Sequence, residues 1–212
     1  AEAAVAKEGM TIGHFPQSID ISSVGGWLAT RSCGQFSSAY GSVEDIVMGL
    51  EVVLPNGEIL QTRLTPRSSA GPELKHFFIG SEGTMGIITA VTFSLRWKAE
   101  KQDYSAYYAP TMEKGLEFQR YVIQSGWTVP VMRQYDITEV KRLFPDQVRN
   151  EDSLIIMVHE GPAGKVAAEL KECREIAADL GCDPAPEAAA TLWLKDRNHV
   201  PSFDEFLKKK LV

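Results

Sequence analysis

The sequence predicts an α+β protein in two parts, on three observations. Residues 10–97 run as short β-type segments separated by glycine-rich loops, residues 98–212 alternate strand-like and helix-like segments, and composition shifts near residues 97–100. We place a boundary there, giving segments 1–97 and 98–212 within a length of 212 residues that suits one large domain or two modest ones.

Each element has a local cause. The opening AEAAVAKEG reads as a short helix stopped at Gly9. DIVMGLEVVLPNGEILQTR is a hairpin, because Asn56-Gly57 tolerates the positive φ of a tight turn between two apolar runs; strands fall near 46–54 and 58–63. After the turn-rich TPRSSAGPE, ELKHFF gives one or two helical turns, and Gly80, Gly83 and Gly86 lead into one β-branched strand, GIITAVTFSLRW. Past Lys98, DYSAYYA is a strand, TMEKGLEFQRYVIQSG an amphipathic helix with Thr111 as N-cap and Gly126 behind it, and VPVMRQYD a strand. ITEVKRLF is a short helix, SLIIMVHEG a strand, and PAGKVAAELKECREIAADLGC a long helix from Pro162 to a stop at Gly181. This order points to an antiparallel sheet with helices on one face; a further helix follows, then a basic, solvated stretch at Lys208 to Lys210.

Composition narrows the classes. With 44% hydrophobic and 24% charged residues the chain is globular, and a net charge of -6 argues against nucleic acid as a partner. No apolar run approaches the roughly 20 residues that span a bilayer, and no signal peptide is visible, so the chain is expected to start inside structure without a leader or transmembrane segment. Cys33, Cys173 and Cys182 form no CxxC pair, and His14, His76, His159 and His199 have no second histidine at ligand spacing; neither disulfides nor a metal site is expected. A reducing, cytoplasmic location is the corresponding expectation.

Two glycine clusters carry the functional signal. SSVGGWLATRSCGQFSSAYGS sets Gly25, Gly26, Gly34 and Gly41 among seven serines and threonines, with Arg31 in the middle; GSEGTMGIIT is the second cluster. Glycine admits a ligand close to the backbone, and hydroxyl and N–H groups then bind sugar or phosphate oxygens; taken singly, each cluster reads rather as a structural loop. The chain has neither GxxxxGK[ST] nor GxGxxG, which excludes phosphoryl transfer on a P-loop and the dinucleotide-binding fold. Arg133, mid-strand in VMRQYD, needs an outward face or a partner. Cys33 reads as a small buried thiol, and Trp27 and Trp193 as packing residues.

In this order the segments GHFPQSIDISSVGGWLATRSCG, YGSVEDIVMGLEVVLPNGEIL, LKHFFIGSEGTMGIITAVTFSLR, VMRQYD and WLKDRN resemble the FAD-linked oxidases of the vanillyl-alcohol oxidase type, and within them the alkyldihydroxyacetonephosphate synthase branch. The resemblance implies the second half of a PCMH-type FAD-binding domain over 1–97, followed by part of an antiparallel-sheet cap domain for substrate. It implies FAD as cofactor, contacted by Gln17, Ser18, Ser22, Ser23, Gly25 and Gly26; by Thr30, Arg31 and Ser32; and by Glu82, Gly83, Thr84, Gly86, Ile87 and Ile88. Arg31 would set a cation beside the flavin, and Arg133 would act at the catalytic site by binding a substrate phosphate or carboxylate. Some members tether FAD to a histidine; His14 falls in no segment matching such a site.

The implied partner is a small molecule, a hydroxyacid or an acyl or alkyl glycerone phosphate, and a homodimer is compatible with the resemblance. The family's upstream pyrophosphate loop and its C-terminal tyrosine and histidine acid/base residues have no counterpart in the chain, so it is expected to be a fragment, inactive by itself. A fragment of a D-2-hydroxyacid dehydrogenase, or a non-catalytic module that has lost flavin, is the alternative.

Overall fold

A computed structural model describes residues 1–199; the predicted basic stretch lies outside them. The elements are α1 (Glu2–Val5), β1 (Met10–Thr11), α2 (Val24–Ala29), α3 (Ser37–Tyr40), α4 (Val43–Ile46), β2 (Val47–Val53), β3 (Ile59–Gln61), α5 (Lys75–Phe78), β4 (Ile87–Phe93) and β5 (Arg96–Trp97). There follow β6 (Lys101–Ala109), α6 (Met112–Gln124), β7 (Val131–Tyr135), α7 (Ile137–Leu143), β8 (Ser153–Gly161), α8 (Ala163–Asp179), β9 (Asp183–Ala185) and α9 (Ala188–Asp196). Among the described residues no helix is long and apolar enough to cross a membrane.

The chain divides into two compact units. One comprises Ala1–Gly13, Phe36–Gly41 and Leu95–Leu194; the other comprises His14–Gln35 and Ser42–Ser94, with the described residues from Lys195 onward. The units are therefore not identical with the sequence segments 1–97 and 98–212.

The first unit is built on a four-stranded antiparallel sheet of order β7-β8-β6-β9. β8 reads SLIIMVHEG and is buried from Ser153 to His159, because both of its faces are covered. Alternate residues point to opposite faces. Tyr107, Ala109, Ile155 and Met157 pack with Phe118 and Val122 of α6 and with Cys173 and Ala177 of α8. Thr111 caps α6 by accepting from Lys114 N, as its sequence position predicts. On this face lies a polar chain, buried except for its lysine. His159 Nδ1 meets Glu169 Oε1 at 2.7 Å, His159 Nε2 meets Ser105 Oγ at 2.9 Å, and Lys165 Nζ lies 2.5 Å from Glu169 Oε2. Ser105 is 4% exposed and His159 and Glu169 0%, so despite its resemblance to a Ser-His-acid triad it has no room for a substrate and ties α8 to the sheet.

The second unit has a three-stranded antiparallel sheet of order β3-β2-β4. The Asn56-Gly57 hairpin forms: Gly57 takes φ 86 and Asn56 Oδ1 accepts from Glu58 N. The core is Trp27, Leu28, Val43, Val47, Leu50, Val52, Phe78 and Ile79.

Three sequence expectations need correction. The stretch from Ser22, expected to be loop, contains α2 across both glycines. Ser23 Oγ caps it by accepting from Gly26 N at 3.1 Å, and burial of Trp27 and Leu28 outweighs the poor helix propensity of Gly25 and Gly26. The run GIITAVTFSLRW is two strands, not one: β4 pairs with β2, and after Ser94 and Leu95 the chain turns so that β5 pairs with β1. Cys33 is exposed rather than buried, its thiol 3.6 Å from Ser42 Oγ.

Candidate flavin-facing surface

The three segments expected to contact a flavin converge within the second unit. Gly25 of α2 backs onto β4 so closely that a Cβ there would stand 3.3 Å from Ile88 O. The end of α2 then receives the glycine loop: Gly80 N donates to Leu28 O at 2.8 Å and Glu82 N to Ala29 O at 2.9 Å. Arg31 Nη2 donates to Ile79 O at 3.2 Å, and a Cβ on Gly80 would lie 3.1 Å from Arg31 Nε, so the bare backbone of Gly80 makes room for the guanidinium. Arg31 also faces Glu44 at 4.0 Å, half exposed, which at that distance and in water is a weak pair.

Backbone strain gathers at the same place. Arg31 and Glu82 both hold φ 51, in the left-handed region that costs a non-glycine residue about 1–3 kcal/mol. Asn150 is the other such non-glycine residue described, and asparagine tolerates this conformation more readily. The contacts above hold both strained residues where Ala29 and Ile79 receive them.

The hydroxyls behave differently from expectation. Ser18 Oγ donates to Ser22 Oγ; Ser22 Oγ donates to Ser18 O and accepts from the Trp27 indole N–H at 2.6 Å. Thr30 Oγ1 donates to Gly26 O and Thr84 Oγ1 to Ser81 O, while Ser32 Oγ meets His14 Nε2 at 2.9 Å. Most of these protons are thus held inside the loop they build, and what remains is acceptor capacity, unsuited to phosphate oxygens but able to receive N–H or O–H donors. His14 is 1% exposed, and burial pulls its pKa from 6.5 to about 4, so it is a neutral structural partner of Ser32. Gly86 faces inward: a Cβ would meet Val53 O at 2.7 Å.

The outward surface is apolar. Ile21 is 78% exposed and Ile87 69%, with Met85 also exposed, and Gln17, Glu82, Gly83 and Thr84 likewise face solvent. Exposed large aliphatic side chains on glycine-bearing loops suit the face of a flat aromatic ring. The residues present therefore fit the ring and ribityl part of FAD better than its pyrophosphate.

Arg133 belongs to the first unit. On β7 its neighbour Met132 packs on the helix-covered face, so Arg133 takes the opposite one, exposed. Its guanidinium stands 5.0 Å from the ring centroid of Trp193, and Tyr135 lies two residues on along the same face of β7. Trp193, 8% exposed, is both a packing residue and the platform beneath this arginine.

Two features escaped the sequence reading. Lys75 is 3% exposed, and its ammonium donates to Val47 O, Thr65 O and Pro66 O, fastening the loop before α5 onto β2. The Ser105, His159 and Glu169 set is the other; only a histidine inside a buried strand hinted at it.

Residues 1–63 match the family model described as FAD binding domain. The uncharacterized FAD-linked oxidoreductase YgcU of Escherichia coli (strain K12) is 36% identical over 170 residues, 79% of this chain and 35% of its own. The alkyldihydroxyacetonephosphate synthase of Caenorhabditis elegans is 39% identical over 116 residues, 55% of this chain and 19% of its own. A solved alkyldihydroxyacetonephosphate synthase superposes with a TM-score of 0.80 at 27% identity, covering 93% of this chain and 40% of that one. The chain is a homologue of FAD-linked flavoenzymes. More particularly, residues 1–63 carry the FAD binding domain family's pattern, and the fold is that of alkyldihydroxyacetonephosphate synthase, of which the chain spans well under half the length.

Proposed function

We propose that the chain forms the ring-facing wall of the flavin site, and part of the substrate cap, of an FAD-dependent enzyme of the synthase-like branch. The convergence of Gln17 to Gly26, Thr30 to Ser32 and Glu82 to Ile88 on one surface, with strain held at Arg31 and Glu82, carries this reading. Bound FAD would supply electron acceptance or a reactive ring atom. The chain's own groups do the rest: Ile21, Met85 and Ile87 exclude water from the ring, and Ser18, Thr30 and Thr84 offer acceptors. Arg31 places positive charge beside it. Arg133, kept in orientation by Trp193, would take a phosphate or carboxylate of a glycerone phosphate or hydroxyacid substrate.

Arg31→Ala tests the charge. Titrating FAD into the protein and following flavin fluorescence should give binding about tenfold weaker than in the parent, the loss of one charge-assisted contact. Arg96→Ala, a cation of the other unit, should leave affinity unchanged. Equal affinity in the Arg31 variant would remove Arg31 from the site.

A further inference from the structure

A hollow of about 260 Å³ opens under the loop joining β3 to α5 in the second unit, lined from Gln61 to Lys75 by residues outside all three flavin-facing segments. That volume is room for a small metabolite and too little for a drug-sized one. Its floor is fixed by Lys75, whose ammonium is taken up by three carbonyl oxygens and lies 3.8 Å from Glu73. Glu73 is itself engaged, accepting from Ser68 N and meeting His76 Nε2 at 3.0 Å. These two lining charges offset each other.

Arg63 is different. Its Nη1 donates to Ser68 Oγ and to Ala70 O, both at 3.3 Å, so the loop itself holds the guanidinium in place. Among the described residues it pairs with no carboxylate, and its Nε and Nη2 edge carries no protein hydrogen bond. A guanidinium oriented by its own loop loses little entropy on binding, and its free edge matches the two oxygens of a carboxylate. Beside it Ala70, Pro72 and Leu74 form an apolar wall, Leu74 being 45% exposed.

We propose that this hollow binds a small monocarboxylate with a short aliphatic tail, its carboxylate on the Nε and Nη2 edge of Arg63 and its tail on Pro72 and Leu74. Phosphate would meet the same guanidinium but gain nothing from the apolar wall, and Glu73 opposes a dianion. The proposal is independent of the flavin reading.

Amide NMR of the intact protein tests it, with sodium butyrate, inorganic phosphate and 1-butanol as probes. Butyrate should shift residues 62–75 saturably, at least about tenfold more tightly than phosphate or butanol. Arg63→Gln, at an exposed position whose loss leaves the core intact, should weaken butyrate about tenfold or more, while Arg67→Gln should not. Absence of saturable shifts, butyrate binding undiminished in Arg63→Gln, or butanol or phosphate equal to butyrate would each overturn it.

Discussion

Glu169→Ala is expected to lower the unfolding free energy by about 3–5 kcal/mol, because it strips the partner from a buried histidine and a neighbouring lysine. Glu169 is 0% exposed; it holds His159 of β8 at 2.7 Å across the junction with α8, and Lys165, one turn earlier on α8, at 2.5 Å. Burial raises the carboxyl's pKa, but hydrogen bonds from His159 and Lys165 outweigh it and leave the pKa below its ordinary 4.5. A depressed carboxylate stabilises fully above its unfolded pKa and loses that contribution as pH falls through the folded one. Glu169 should therefore act below about pH 4.5, whereas His14, with its pKa lowered from 6.5 to about 4, costs stability across that higher window as acid forces it to charge. Urea unfolding at neutral pH measures the first effect, and a loss under about 1 kcal/mol would show the network to be incidental. The same titration in acid separates the two windows.

Gly86→Ala should cost about 2–4 kcal/mol, combining a backbone clash with an unfavourable conformation. Gly86 has φ +152, and an added Cβ would lie 2.7 Å from Val53 O and 2.8 Å from Val52 Cγ1, where β2 gives it no space. Gly83→Ala supplies the contrast: φ +82 strains it too, but nothing stands within 4 Å of the new Cβ, so about 1–2 kcal/mol is expected. Equal losses in the two variants would mean that conformation, not the clash with Val53, sets the requirement for glycine.

Local chemistry made part of this structure legible. Asn56-Gly57, Thr111, Gly126 and Gly181 each act within four residues of their own position, and hairpin, cap and helix stops follow from them. The helix at Val24–Ala29 was hidden because its cause is tertiary: Trp27 and Leu28 find a core that Gly25 and Gly26 give no sign of. Ser105 and His159 are 54 residues apart and meet only because β6 and β8 pair, which no periodicity encodes. The surface proposed to face flavin was suggested by the order of the glycine segments. That its hydroxyls turn inward was not, since Ser22 Oγ receives the Trp27 indole N–H and Thr30 Oγ1 reaches Gly26 O only once α2 exists.

Gln17 to Ser32 and Glu82 to Ile88 are proposed to form one flavin-facing surface. Hydrogen exchange of the protein with and without excess FAD tests it most directly. Slower exchange confined to residues 17–32 and 82–88, with β6 to β8 unchanged, is the predicted result. Protection elsewhere, or none at FAD concentrations that saturate flavin fluorescence quenching, would contradict it.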